Sequence, residues 1–158
     1  MRLTARRRVH DLIEPFVIAR KAYTEAVVVE VEIEADGAIG RGEAAGVDYR
    51  GDTPDRMLEQ LGDLSERLER GGRLDREALA SLLPPGGARN AVDCALWDLE
   101  AKRSGVSATI RANLAPLRTL ETFVTLGMDT PQAMGAKARR WTARYAACLL
   151  YTSPSPRD

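Results

Sequence analysis

The sequence predicts an α+β domain followed by the start of an α/β unit. The segment AVVVEVEIEADG at 26–37 alternates apolar and acidic residues with a strict period of two, which predicts a half-buried strand that ends in a turn. Segments with apolar residues at helical spacing follow, and a new strand–helix pair begins near residue 121. Strands, then helices, then a fresh strand and helix are the order expected of an α+β domain joined to the beginning of an α/β domain.

An antiparallel meander is predicted for the first part of the chain. Residues 2–10 allow an edge strand, Pro15 is expected to interrupt it, and the polar segment 20–25 is expected to be a loop. Asp36-Gly37 favours a type I′ turn because both residues tolerate positive φ. Residues 38–45 then return as the partner strand of 26–37.

Three helices are predicted after the meander. Asp52-Thr53-Pro54 marks the first start, because Thr caps free N–H groups and Pro fits the first helical position, and Gly71-Gly72 ends that helix. A short helix is expected over 75–83, and a third over GARNAVDCALWDLEAKRSG, with Gly105 as its C-terminal stop.

The last pattern in the chain is a strand followed by a helix. Residues 121–128 predict a buried strand, and Asp129-Thr130-Pro131 repeats the capping device before a fourth helix. A single β–α unit cannot bury both faces of its strand, so we expect further elements beyond it. The buried face of the fourth helix is expected to carry Met134, Ala138, Trp141 and Tyr145.

Composition argues against several classes of protein. The 23 basic and 23 acidic residues balance, so no general attraction to nucleic acid or to a membrane surface is expected. The basic start is interrupted by Asp11 and Glu14, and no run of apolar residues is long enough for a transmembrane helix, so neither a secretory signal nor a membrane span is predicted. Cys94 and Cys148 do not suggest a disulfide framework, and a reducing, cytoplasmic location is the expectation.

The motifs with possible chemistry have simpler interpretations. The glycine-rich segment 40–46 lacks the buried strand before it and the helix after it that a dinucleotide fingerprint needs, so its glycines are interpreted as close-packing positions or a bulge. His10, the single histidine, is interpreted as a surface strand residue, and Asp93 and Asp98 as a solvated helix face. The residues alone reveal no catalytic or metal-ligand spacing.

The third helix carries a specific resemblance to a known family. GGARNAVDCALWDLEAK at 86–102 resembles the hallmark helix of the N-terminal capping domain of the enolase superfamily. Segments 16–33, 40–54 and 122–134 are similar to the dipeptide epimerase branch, to which the L-Ala-D/L-Glu epimerases belong. The resemblance extends over about residues 1–147.

The resemblance implies three parts of the chain. These are an enolase-like capping domain at 1–115, the first strand and helix of a truncated (β/α) barrel at 116–147, and a non-native tail at 148–158. The second barrel strand of this superfamily carries Lys-x-Lys, whereas this chain reads Leu-Leu-Tyr-Thr-Ser-Pro from Leu149. The catalytic lysines and the carboxylates that bind Mg²⁺ are therefore expected outside this chain, and no catalytic or metal-binding residue is assigned within it.

The function implied by the resemblance is that of a Mg²⁺-dependent dipeptide epimerase. Such an enzyme removes the α-proton through an enediolate and returns a proton on the opposite face. The chain alone is expected to be inactive, and the intact protein is expected to be a homo-oligomer with a dipeptide substrate and without nucleic-acid or membrane partners. The alternatives are a muconate or chloromuconate-type cycloisomerase, an acid-sugar dehydratase, and a non-catalytic binding module.

The resemblance also indicates substrate-binding positions. The first specificity loop contains Arg20, Tyr23 and Thr24, the second loop contains Tyr49, and Thr125 on the first barrel strand would point toward the substrate. Some dipeptide epimerases hold an arginine at the position of Tyr23, where it meets an acidic substrate side chain. Tyr23 cannot form that ion pair, so Arg20 and Lys21 are candidates to compensate, although a solvated loop is an equal interpretation. For Thr125, the alternative is a β-branched residue that only fills the strand.

Overall fold

The structure of the chain is a computed structural model that describes residues 1–19, 21–120 and 124–144. Its contacts divide these residues into two compact units. The first unit comprises Met1–His10 and Ala26–Leu117, and the second comprises 11–25 with the described residues after 117.

The strands form a three-stranded sheet in the order β1-β2-β3. Strands β2 and β3 pair in antiparallel register, from Val29 opposite Ala44 to Ala35 opposite Ala38, and Asp36 and Gly37 in the turn between them both have positive φ. The predicted antiparallel meander is therefore confirmed. The strand bounds are β1 Arg2–Ile18, β2 Lys21–Ala35 and β3 Ala38–Ala44.

Two predictions about the first hairpin are wrong. Pro15 lies inside β1 instead of ending a strand, and residues 21–25 belong to β2 instead of a loop. An edge strand tolerates proline because one side of its backbone needs no partner, and β1 is an edge strand in the sheet order. Polar side chains at 21–25 are compatible with a strand, because the side chains of this part of β2 face water.

The core of the first unit lies between the sheet and its helices. Val29, Val31 and Ile33 are at most 1% exposed, which confirms the buried face predicted from the alternation. Thr53 accepts a hydrogen bond from the N–H of Arg56, as expected of the residue that caps the first helix. The helices are α1 Pro54–Glu69, α2 Arg76–Leu82, α3 Gly87–Ser104 and a short α4 Ala108–Arg111 that was not predicted.

Close packing between β3 and α3 depends on two glycines. A Cβ atom on Gly40 would lie 2.1 Å from the carbonyl oxygen of Ala95, and one on Gly42 would lie 2.0 Å from that of Ala91. Real Cβ atoms do not approach so closely, so only glycine lets the α3 backbone rest directly on the strand. This confirms the close-packing interpretation of the glycine-rich segment.

The second unit contains the far end of the β1–β2 hairpin and α5, Pro131–Arg144. Thr130 accepts a hydrogen bond from the N–H of Ala133, so the predicted cap and fourth helix are present. Met134, Ala138 and Trp141 are half-buried rather than buried, and Tyr145 lies outside the described residues.

The strand predicted at 121–128 is not observed where the structure describes it. Residues 124–128 belong to no strand, and 121–123 lie outside the described residues. The N–H of Met128 donates to the carbonyl of Val17 at 2.8 Å. A strand inside a sheet forms several such bonds with its neighbouring strand on each side. The one bond to Val17 is too few to make residues 124–128 a strand.

Other predictions for this end of the chain are not tested. The tail at 148–158 lies outside the described residues.

Within the part of the chain that the structure describes, none of the helices combines the length and apolar character needed to cross a bilayer.

Candidate functional site

The loop after β3 presents Tyr49 to solvent. The N–H of Val47 donates to the carbonyl of Asp52 at 2.9 Å, and the N–H groups of Asp52 and Arg50 donate to the carbonyl of Val47 at 3.3 and 2.9 Å. These bonds close the segment Val47–Asp52, here called the 47–52 loop, around a short 3-10 turn. Tyr49 stands in that turn with 87% of its surface exposed. Its ring is thus available to a ligand and is carried by a closed loop.

The base of this loop is attached to α3. The carboxylate of Asp52 accepts a hydrogen bond at 2.8 Å from the N–H of Gly87, the first residue of that helix. The sequence predicts Asp52 only as part of a helix start and not its bond to Gly87, since the two residues are 35 apart and no local pattern connects them.

In the second unit, the part of the β1–β2 hairpin at 11–19 and 21–25, here called the hairpin end, carries a cation–aromatic pair. The ammonium of Lys21 lies 4.4 Å from the ring centroid of Tyr23. The ring of Phe16, on the other strand of the hairpin, has its centroid 6.4 Å from that of Tyr23. Lys21 and Thr24 are exposed and Tyr23 is half-buried. The negative face of the ring attracts the ammonium and restricts its position.

The remaining predicted positions are resolved less fully. Arg20 lies outside the described residues. Thr125 is exposed in the second unit but belongs to no strand, so the structure does not give it the strand orientation that was predicted. Tyr23, Thr24 and Thr125 belong to the second unit, and Tyr49 belongs to the first.

Ion pairs connect the hairpin end to α5 within the second unit. The carboxylate of Glu14 lies 3.0 Å from the guanidinium of Arg140 and 3.7 Å from the ammonium of Lys137. Lys137 also lies 3.3 Å from Asp129. The N–H of Thr130, followed by the Lys137 ammonium, lowers the pKa of the Asp129 carboxyl. These charged contacts therefore link the hairpin to α5.

The exposed face of the sheet brings His10, Glu30 and Glu43 together, with one possible ligand atom from each within 4.8 Å of the others. The spacing along the chain did not reveal this group, because its members come from three strands. The hydrogen bonds from Arg6 and Arg8, at 2.6 and 3.0 Å, lower the pKa of Glu30 and occupy its carboxylate. Mg²⁺ prefers an octahedral set of oxygen ligands. The group offers one imidazole and two carboxylates, and one of these carboxylates is already paired with two guanidinium groups, so it does not fit that ion.

Comparison with known proteins adds a family match. The family model described as "Mandelate racemase / muconate lactonizing enzyme, N-terminal domain" matches residues 2–109. The L-Ala-D/L-Glu epimerase of Escherichia coli (strain K12) is 40% identical over 124 residues, which are 78% of this chain and 38% of that protein. The L-Ala-D/L-Glu epimerase of Bacteroides thetaiotaomicron is 33% identical over 128 residues, which are 78% of this chain and 33% of that protein. The chain thus matches about a third of the length of these relatives.

A third curated relative has a different named activity. The N-acetyl-D-glutamate racemase of a Pseudoalteromonas species is 39% identical over 62 residues, which are 39% of this chain and 19% of that protein.

Solved structures show the same similarity. An enolase family member from Agrobacterium tumefaciens with homology to dipeptide epimerases, with bound sodium and L-Ala-L-Glu, has a TM-score of 0.82 and 34% identity. The match includes 90% of this chain and 43% of that protein. The dipeptide epimerase from Methylococcus capsulatus, complexed with Mg and L-Arg-D-Lys, has a TM-score of 0.77 and 30% identity, with 90% of this chain on 42% of that one. The described fold is therefore that of the N-terminal part of these proteins.

Proposed function

This chain belongs to the mandelate racemase / muconate lactonizing enzyme family, and we propose that it is the N-terminal part of an enzyme that inverts the α-carbon of an N-acylated glutamate. The dipeptide L-Ala-L-Glu is the leading substrate. The observation that carries this proposal is the 40% identity to an L-Ala-D/L-Glu epimerase over 78% of the chain.

The chemical class of substrate follows from what three relatives have in common. Two are named for a glutamate acylated by alanine, and the third for a glutamate acylated by an acetyl group. In each, the nitrogen next to the α-carbon is an amide and the side chain ends in a carboxylate. We therefore propose that the enzyme recognises the N-acylglutamate unit of the substrate rather than the alanine.

The hairpin end offers a partner for the glutamate side chain. In this proposal the Lys21 ammonium, held 4.4 Å from the Tyr23 ring, receives the side-chain carboxylate of the substrate. Tyr23 then orients the cation instead of forming an ion pair itself. Arg20 remains a second candidate cation in the same segment.

The proposed contribution of this chain is binding and exclusion of water. Inversion of an α-carbon requires a base on one face and an acid on the other, and the resemblance assigns both to barrel lysines. The hairpin end would bind the side chain of the substrate, and the exclusion of water around that contact would strengthen its electrostatic interactions. Separately, Tyr49 on the 47–52 loop of the first unit is proposed to contact a ligand. The whole enzyme is proposed to need Mg²⁺, in line with the Mg bound to the Methylococcus capsulatus protein.

The first experiment is to read the source DNA beyond the codon for Ala147. We expect the frame to continue into Leu-x-Lys-x-Lys, followed by three strand-end carboxylates and a further lysine. A frame that reads Tyr-Thr-Ser-Pro-Ser-Pro and stops would contradict the proposal and favour a non-catalytic binding module.

The second experiment compares substrates with the extended protein. The enzyme should invert the glutamate α-carbon of both L-Ala-L-Glu and N-acetyl-L-glutamate. L-Ala-L-Lys, in which the side-chain charge is reversed, should react at least about tenfold more slowly. Racemisation is followed by circular dichroism of the substrate. Equal rates with glutamate and lysine in the second position would contradict the N-acylglutamate assignment, and substitution of Lys21 by Met should abolish the preference.

A further inference from the structure

The N-terminus of α3 has no cap from its own segment. Gly86 occupies the cap position and has no side chain to accept from the first free N–H groups of an 18-residue helix. The carboxylate of Asp52 takes this role from a distant part of the chain, through its 2.8 Å bond to the N–H of Gly87. A negative charge is favourable there, because the helix dipole places partial positive charge at its N-terminus.

Asp52 also closes the 47–52 loop with its backbone. Its N–H and its carbonyl both pair with Val47, at 3.3 and 2.9 Å. The side chain and the backbone of this residue therefore serve different contacts: the backbone determines the shape of the loop, and the carboxylate attaches the loop to α3.

The surroundings of this contact leave little room for another arrangement. A Cβ on Gly87 would lie 2.3 Å from the sulfur of Met57, which is fully buried, and 3.2 Å from the Asp52 carboxylate. Gly46, with φ of +77°, would place a Cβ 2.3 Å from the carbonyl oxygen of Asp52. The helix α1 begins two residues after Asp52. The loop, α1 and α3 thus meet at one residue.

We infer that Asp52 is a positioning residue, whose carboxylate latches the 47–52 loop to the first turn of α3 and so fixes where Tyr49 meets a ligand. The ligand-binding role of Tyr49 rests on the proposed function. The latch itself is a property of this chain, and it is tested without catalysis.

The test measures amide hydrogen exchange in the 158-residue chain and its variants by NMR. The amides of Val47 and Arg50, both bonded within the loop, report the loop, and the amides of β2 and β3 report global unfolding. D52A removes the accepting carboxylate, and D52N keeps an accepting oxygen in its place. T53A is the matched control, because the neighbouring Thr53 caps α1 and does not hold the loop to α3.

The expected result is local. D52A should accelerate exchange at Val47 and Arg50 by about tenfold or more relative to the β2 and β3 amides, because a hydrogen bond to a charged group is lost. D52N should restore exchange to within about threefold of the original chain. T53A should leave the loop amides unchanged relative to the sheet. If D52A fails to fold, D52S replaces it, since its hydroxyl is one bond too short to reach Gly87.

Three results would overturn the inference. They are loop exchange that is unaffected in D52A or D52S, D52N exchange as fast as that of D52A, and equal acceleration of the loop by T53A. None of these results bears on whether the extended protein epimerises N-acylglutamates, and a failure of that activity leaves the latch intact.

Discussion

The two units of this chain are stabilised in different ways. In the first unit, Val29, Val31 and Ile33 of β2 are buried, and α3 lies on β3 with two glycines at the contact. In the second unit, the helix α5 has no buried residue, and ion pairs between Glu14 and the side chains of Lys137 and Arg140 link it to the hairpin. Apolar burial contributes more free energy than exposed ion pairs do. We therefore expect the first unit to determine global stability and the second to contribute little to it.

The largest effect should come from filling the contact between β3 and α3. In G42A the new methyl would lie 2.0 Å from the carbonyl oxygen of Ala91, so α3 must move off the strand. We expect a loss of about 4 kcal/mol or more in the free energy of unfolding, or failure to fold, because overpacking against backbone cannot be relieved by a rotamer change. Urea unfolding followed by far-UV circular dichroism measures this loss.

The matched control for that variant is G62A in α1. Gly62 is exposed, and a Cβ there would meet nothing within 4 Å. Alanine should stabilise the chain by about 0.5–1 kcal/mol, since it is the better helix former. Similar changes in G42A and G62A would show that the glycine contact does not hold α3 in place.

A second pair of variants compares the units directly. Leu61 is fully buried in α1 of the first unit, whereas Met134 is half-buried in α5 of the second. L61A should lower the free energy of unfolding by about 3 kcal/mol, through lost burial and the cavity left behind. M134A should lower it by less than about 1 kcal/mol. Equal losses in the two variants, measured by urea unfolding, would contradict the difference between the units.

The smallest effect concerns one charged cluster of the first unit. Glu100 lies 3.1 Å from Arg76 and 2.7 Å from Arg111. Burial would raise the pKa of Glu100, but the hydrogen bonds from Arg76 and Arg111 outweigh it and the pKa lies below its ordinary value. A carboxyl with a lowered folded-state pKa stabilises the protein above its unfolded-state pKa, and this stabilisation is lost as pH falls through the folded-state pKa.

E100Q tests this linkage. At pH 7 the variant should be less stable than the original chain by under about 1 kcal/mol, and the difference should shrink as the pH falls below about 4. E59Q, at an exposed position of α1, is the control for the loss of one glutamate charge. A gap between E100Q and the original chain that stays constant from neutral to acid pH would mean that the charge of Glu100 is not responsible.

Local patterns in the sequence were enough to predict much of the first unit. The alternation around Val31 predicted its buried face, Thr53 was identified as a cap, and the glycines at 40–46 were interpreted as close-packing positions. Each of these depends on a residue and its near neighbours in the chain, or on a period that burial imposes.

Features that depend on distant partners were not predicted. Pro15 fits into β1 because that strand is at the edge of the sheet, which the residue itself does not reveal. The grouping of His10 with Glu30 and Glu43 needs the pairing register of three strands. The bond between Asp52 and Gly87 joins residues that are far apart in sequence, so it is visible only in the folded structure.

The proposed function assigns substrate binding to this chain and proton transfer to a barrel that follows it. Its most direct test is α-deuterium incorporation into L-Ala-L-Glu, followed by ¹H NMR in D₂O with Mg²⁺. The 158-residue chain and a protein extended by the native downstream sequence are measured side by side. We predict no incorporation above buffer with the chain alone and measurable incorporation at the glutamate α-carbon with the extended protein. Incorporation by the 158-residue chain alone, or none by the extended protein, would contradict the claim.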